Sequence, residues 1–323
     1  MAMNIRFFSS KIKSGRASHR LRGELIAKVL QQQGLAATAL SSLDDVNSDT
    51  VFVALKHSQP EHLVQARQQG ATVVYDLCDN KFDEKEEYLP CCLAADFITV
   101  NSEQMGVSVK ERTGKDSIVI PDPCERPELP PTFNNQQPIQ LMWFGSSASL
   151  KFVDWITLWQ RLEREIGNYH FTMVTAKAER LVNKMKERER RGIFTGVNFD
   201  KISILDWTWE LQGEKLRDCD IVLMPVQVQN YRTDTKSANR LVDSLISGKF
   251  VVTSPLASYV EFDTYTWQQE DYIEGVKWAQ AHPGEVLDRI TRGQEYTKQN
   301  YSPEVIAQQW WKAAEYAIKN RNR

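Results

Sequence analysis

The chain has 323 residues, with 40 lysines and arginines against 42 aspartates and glutamates and a net charge of −2. That length accommodates two domains of ordinary size, and the charge balance excludes the basic surplus expected of a nucleic-acid binder. No apolar run reaches transmembrane length, and residues 1–10 hold one strand-like segment rather than a signal-peptide core.

In chain order, residues 4–8 (NIRFF) predict a strand, followed by a polar, basic loop and a helix over 20–33 that Gly34 stops. Strands are predicted at 50–54 and 71–77. Between them lies a helix over 60–69, started by Pro60 and ended by Gly70. Strands at 97–100 and 117–120 flank a helix at 103–112. This alternation predicts one open, doubly wound parallel sheet. Residues 121–138 then carry six prolines, which break helix and sheet alike and mark a linker. Beyond it the rhythm restarts, with strands at 139–144, 170–174, 202–205, 221–225 and 250–253. Helices are predicted at 153–166, 176–191, 209–218 and 238–247. The 176–191 helix is strongly charged and reads most simply as a solvated face. The last helix, 303–319, bears Trp310 and Trp311 and needs a surface on which to bury one side.

In open parallel sheets, ligands bind at the carboxyl ends of strands, where loops and helix N-termini offer amides to anions. Five segments satisfy that rule. The loop FGSSASLK (144–151) supplies Gly145 for a turn, hydroxyls at Ser146 and Ser147, and a charge at Lys151. Lys236, Ser237, Asn239 and Arg240 gather at a helix N-terminus, where two cations need a compensating anion such as a diphosphate. Asp243 lies one turn further on, and a surface pair between Arg240 and Asp243 is the competing reading. LDWTW (205–209) presents Asp206 and Trp207 and offers aromatic rings to a base, or simply to the core. Asp76 and Asp79, in YDLCDNKF (75–82), end a strand where a catalytic carboxylate would stand, or where a turn would need a cap. The first loop (9–23) holds Ser14, Gly15 and Arg16 and suits a polyhydroxylated or anionic ligand. His19 reads there as an exposed loop residue. His57, His62 and His170 show no metal-ligand spacing, so no metal is expected. The five cysteines, Cys78, Cys91, Cys92, Cys124 and Cys219, show no CxxC spacing, so buried reduced thiols and a cytoplasmic location are expected.

Three stretches carry a family resemblance. KSANRLVDSLISGKFVVTSPLASYVEF (236–262) resembles the donor-binding segment of GT-B glycosyltransferases, in particular the large retaining family of bacterial mannosyltransferases and sucrose synthases. IQLMWFG (139–145) followed by Lys151 resembles that family's glycine-arginine-lysine segment. IVIPDPCE (118–125) is similar to the stretch that ends its first domain. Counting back from Gly248, the family's second motif glutamate falls on Asp243 and its first on Thr235; its arginine falls on Ser146.

The resemblance implies an α/β fold of two doubly wound, Rossmann-like domains facing a cleft. Residues 1–122 would be the acceptor domain and 123–138 the linker. Residues 139–302 would be the nucleotide-sugar domain, and 303–323 a helix packing back toward the first. It also implies metal-independent transfer of a sugar from a nucleotide diphosphate to a glycan or lipid-linked acceptor in polysaccharide biosynthesis, with no cofactor. Gly145, Ser146, Ser147, Lys151, Asp206, Trp207, Lys236, Ser237, Asn239, Arg240 and Asp243 would hold the donor, with Asp243 on the ribose. Asp79 or Asp76 would stand near the reacting centre, and Ser14, Gly15 and Arg16 in the acceptor loop. Peripheral contact with the inner membrane face would accompany a lipid-linked acceptor. The alternatives are a non-catalytic nucleotide-sugar-binding or scaffold protein, and a sugar-nucleotide epimerase of the same fold.

Overall fold

The computed structural model describes residues 3–10, 17–56, 58–226 and 234–321. They divide into two units. Unit 1 holds the described residues through 125 together with 234–239 and 299–321; unit 2 holds 126–226 and 240–298. The chain first passes between them inside the proline-rich stretch.

Unit 1 is built on a six-stranded sheet, ordered β2-β1-β3-β4-β5-β6, all parallel. Its strands are β1 (Asn4–Phe8), β2 (Ala37–Leu40), β3 (Thr50–Leu55), β4 (Thr72–Leu77), β5 (Phe97–Val100) and β6 (Ile118–Val119). In β3 and β4 every residue is buried, as expected for central strands covered by helices on both faces. β2 has no counterpart in the predicted elements. It is a half-buried edge strand whose register on β1 runs from Ile5–Ala37 to Phe8–Leu40. The helix expected over 20–33 starts as a wider π turn, Arg20–Glu24, and becomes α-helical at Leu25–Gln32. The closing helix, Pro303–Asn320, belongs to unit 1, where Trp310 meets Phe7 edge-on at 5.2 Å.

Unit 2 repeats the plan. Its sheet is ordered β12-β11-β10-β7-β8-β9, again parallel. The strands are β7 (Ile139–Phe144), β8 (Tyr169–Thr175), β9 (Ile202–Asp206), β10 (Ile221–Met224), β11 (Phe250–Thr253) and β12 (Trp267–Gln268). Trp143, Trp159, Phe171 and Phe194 fill a core with Leu223, Phe250 and Val276.

In each sheet the first strand is flanked on one side by the next strand and on the other by a later one. β1 lies between β2 and β3, and β7 between β8 and β10. The connections therefore diverge at β1/β3 and at β7/β10, and an open sheet leaves a ligand crevice at the carboxyl end of such a point.

Candidate functional site

In unit 2 the β7/β10 point is where Gly145 follows Phe144. The glycine has a specific reason to be there. A Cβ at position 145 would lie 3.0 Å from Nη1 of Arg240 and 3.0 Å from the Trp143 ring. Without a side chain, Gly145 lets the Arg240 guanidinium reach the strand end, where Nη1 donates to the Phe144 carbonyl oxygen at 3.1 Å. The same guanidinium stands 5.9 Å from the Trp143 ring centroid. Arg240 is delivered by the helix Asn239–Ile246, anchored through buried Leu241, Val242, Leu245 and Ile246. Gly248, at φ +68°, ends this helix, and its Cα faces Pro130 so closely that a Cβ would lie 2.5 Å from the proline carbonyl oxygen. Asp243 is buried on this helix.

Ser146 caps the short 3-10 helix Ser147–Phe152, its hydroxyl accepting from the Ala148 amide at 3.3 Å. Lys151 ends that turn exposed, with Nζ 4.9 Å from the Phe152 ring centroid and no ion pair among the described residues. It lines an open cavity of about 770 Å³ with Asp154, Arg161, Pro225, Glu270 and Tyr272. Pro225 lies just past β10. Asp154 and Asp271 cap the helices Trp155–Glu165 and Tyr272–Ala281. Arg161 is held by Glu165 and Asp271, whose hydrogen bonds raise its pKa further. Burial raises the Tyr272 hydroxyl, so it is a neutral donor or acceptor, here against Ser254 at 2.7 Å. This combination of cations, carboxylates and a phenol fits a polar, anion-bearing ligand.

Asp206 and Trp207 end β9, separated from β7 by β8. Asp206 accepts from the Ala178 amide at 3.0 Å, and Trp207 Nε1 donates to Gln212 at 2.6 Å. Trp209 lies under the Arg126 guanidinium at 4.5 Å. The expected cluster at the second-domain helix is divided. Lys236, Ser237 and Asn239 group with unit 1, where Ser102 donates to the Thr235 carbonyl, while Arg240 and Asp243 group with unit 2.

In unit 1 the two candidate carboxylates separate. The expectation of a ligand-facing Asp76 does not hold, because it is 1% exposed and committed to Arg22. Arg22 Nε and Nη2 each donate to an Asp76 oxygen at 2.7 Å, and Nη1 donates to Asp122 at 2.9 Å and to the Ile120 carbonyl at 2.8 Å. Thr99 also donates to Asp76 at 2.7 Å. Burial opposes the charge on Arg22, but Asp76 and Asp122 outweigh it and hold its pKa above the usual range. Asp79 is partly exposed and pairs with Lys56 at the end of β3. Burial opposes that ammonium too, and the paired Asp79 carboxylate favours it, holding the lysine's pKa above its usual range. Burial pushes the Cys78 thiol up to about 12, so it is a neutral thiol and no nucleophile near neutral pH.

His19 was expected to be exposed and is 3% exposed, because the turn Ala17–His19 folds its ring against Gly23, where a Cβ would lie 3.4 Å from Nδ1. Among the described residues neither ring nitrogen makes a hydrogen bond, although Nε2 is 3.4 Å from Glu24 Oε1. Ser14, Gly15 and Arg16 lie outside the described residues. Arg22, Lys56, Arg161 and Tyr272 were missed in the sequence. Arg22 sits in a run of basic residues that reads as solvated, and its partners come from distant strands.

Among the described residues no cluster of three or more His, Cys, Asp or Glu side chains is arranged to hold a metal. No described helix is long and apolar enough to cross a membrane. No protein-family model matches the chain, and no curated protein matches it. Solved structures do match. HepE of Anabaena in complex with UDP aligns with a TM-score of 0.68 at 11% identity, covering 97% of this chain and 100% of that one. A glycosyltransferase of Rickettsia africae aligns at 0.66 and 11% identity, covering 99% and 100%. An alpha-glucosyltransferase in complex with UDP-glucose and DNA containing an abasic site aligns at 0.68 and 10% identity, covering 97% and 99%. Two parallel six-stranded α/β units in one chain, matched over nearly its whole length, give this protein the GT-B fold.

Proposed function

We propose that the protein is a glycosyltransferase that moves a sugar from a nucleotide diphosphate to an acceptor hydroxyl, with the diphosphate at the β7/β10 strand ends of unit 2. The observation that carries this reading is the guanidinium of Arg240 against the end of β7, at a glycine that leaves room for it. Breaking the bond to the sugar leaves negative charge on the diphosphate, and fixed cations and amides stabilise charge where it develops. Arg240 and Lys151 are the cations for that role, with Lys236 as a third. Their charge takes the place of a metal ion, so transfer is expected to survive chelation. Asp243 would hold the ribose, and Asp79 would be the carboxylate nearest the reacting centre. The acceptor is a glycan or a lipid-linked sugar, the latter implying contact with a membrane surface. The bound UDP and UDP-glucose of HepE and the alpha-glucosyltransferase support trying uridine donors first.

Thr235, which replaces the first acidic residue of the resembling motif and is buried, favours a second reading, in which the fold binds a nucleotide sugar without turnover. One experiment separates the two. Nucleotides and nucleotide sugars are screened by thermal shift, since a ligand that binds only the folded state raises its melting temperature. The donor that binds is then assayed for turnover with and without acceptor, and with EDTA. Binding without turnover supports the second reading. Lack of binding to every nucleotide removes both, whereas unchanged binding in Lys236→Ala, Arg240→Ala and Asp243→Asn removes the donor assignment and leaves the second reading in its place. Activity that needs Mn²⁺ or Mg²⁺ removes the metal-independent step.

A further inference from the structure

One surface of unit 2 takes no part in the donor chemistry of that reading. Residues 177–191 contain seven cations (Lys177, Arg180, Lys184, Lys186, Arg188, Arg190 and Arg191) and three acids (Glu179, Glu187 and Glu189), a local charge of +4. The whole chain carries −2, so the other residues carry −6 between them. The helix over this stretch, Ala178–Arg190, buries Ala178, packs Met185 into the unit 2 core and turns its charged residues to solvent. Of the seven cations, only Arg191 enters an ion pair among the described residues, with Glu187.

A solvated face with a favourable helix dipole explains part of this, because Arg188 and Arg190 lie in the last turn. It does not explain Arg180 or Lys184. Arg180 stands in the first turn, where the dipole disfavours a cation. Arg180, Lys184 and Arg188 follow one another at i, i+4, so like charges repel along one ridge of the helix. Such a ridge becomes favourable when an anionic surface faces it. The turn after the helix exposes Ile193 at 47%, an apolar side chain suited to a headgroup layer. Within 177–196 the one aromatic side chain, Phe194, is buried and leaves no ring to stack a nucleobase.

We propose that the ridge Arg180–Lys184–Arg188, with Ile193 beside it, docks unit 2 on an anionic lipid bilayer. The helix's apolar side is already used by the core, so the contact is electrostatic and superficial, with no insertion of the helix. Cations near an anionic membrane act additively and are screened by salt. The proposal does not depend on the donor reading.

The test is co-sedimentation of the whole protein with vesicles of phosphatidylcholine alone, and with vesicles also containing phosphatidylglycerol. Binding is expected only to the anionic vesicles, and is lost by about 0.5 M salt. Arg180→Glu with Lys184→Glu and Arg188→Glu should lower partitioning more than a hundredfold, at about fivefold per charge removed. Ile193→Ala should lower it a few-fold. Should the charge reversal impair folding by circular dichroism, Arg180→Gln with Lys184→Gln and Arg188→Gln keeps the helix and still lowers binding about a hundredfold. Equal binding to neutral vesicles, or unchanged binding in a folded variant, overturns the proposal. So does binding to a nucleic-acid duplex that is tighter than to the anionic vesicles and lost in the same variants.

Discussion

The two units share one topology and differ in the described contacts of their strand-end cations. In unit 1 the charges are closed on one another: Arg22 is enclosed by Asp76 and Asp122, and Lys56 is held by Asp79. In unit 2 the described contacts of the strand-end cations are different. Arg240 donates to a main-chain carbonyl, and Lys151 rests on the ring of Phe152 beside a cavity. A buried cation matched by carboxylates has little attraction left for a ligand, and chiefly specifies how elements come together. A lysine that rests on an aromatic ring beside an open cavity, as Lys151 does, keeps most of its attraction for an anion. The same fold thus supports a structural charge cluster in one unit and a candidate anion site in the other.

The comparison breaks most easily at Arg22. Arg22→Met leaves Asp76 and Asp122 as uncompensated buried carboxylates and should destabilise the protein by about 3–5 kcal/mol in urea or thermal unfolding. Pairing that change with Asp76→Leu and Asp122→Asn should recover much of the loss. A loss below about 1 kcal/mol for Arg22→Met alone would mean that the cluster is hydrated and the contrast between units is wrong.

Unit 2 should answer the other way, with little effect on stability and a clear effect on binding. Arg240→Ala is expected to weaken a nucleoside diphosphate by about ten- to a hundredfold, equivalent to about 1.5–3 kcal/mol, and Lys151→Ala by about tenfold. Gly145→Ala should act through Arg240, since its Cβ would press on the guanidinium and on Trp143. Its effect should therefore shrink when Arg240 is already alanine. Titration calorimetry reads each step, and independent effects at the two positions would sever the link between them.

The smallest effect concerns pH and returns to unit 1. Burial lowers the His62 pKa against a weaker opposing effect of Glu61, and its neutral Nδ1 accepts from the Gln59 amide at the start of the helix Pro60–Gln68. A histidine whose folded pKa lies below its unfolded value leaves the unfolded chain holding more protons on acidification. Stability is therefore lost as pH falls through the unfolded value near 6.5. His62 is partly exposed, so the loss should be a few tenths of a kcal/mol. His170 is shifted in the same direction by burial and by Lys215, and adds to it. His62→Gln should flatten the unfolding-midpoint profile between pH 7 and 5. A steeper profile would reverse the assigned sign.

Much of the architecture was legible in the residue order. Apolar runs such as TVVYDL, Gly34, Gly70 and Gly248 at helix ends, and the prolines of 121–138 report local preferences, which act over a few residues. The β2 strand was not legible, because ATAL is short and half polar and becomes a strand only by pairing with β1. The charged stretch 176–191 was visible as a helix, but the isolation of its cations was not.

What the sequence determined by itself was therefore the two βα series, the break between them and a set of polar residues at strand ends. Tertiary structure alone decided which of those residues meet. Asp76 and Asp79, three residues apart, differ because Arg22 reaches the first across 54 positions while Lys56 holds the second at the surface. Gly145 gains its meaning from Arg240, whose bond to Phe144 spans 96 positions. Periodicity and turn chemistry are carried by neighbours along the chain. Charge pairing depends on strand order, which is set by the packing of whole elements and leaves no mark at the single residue.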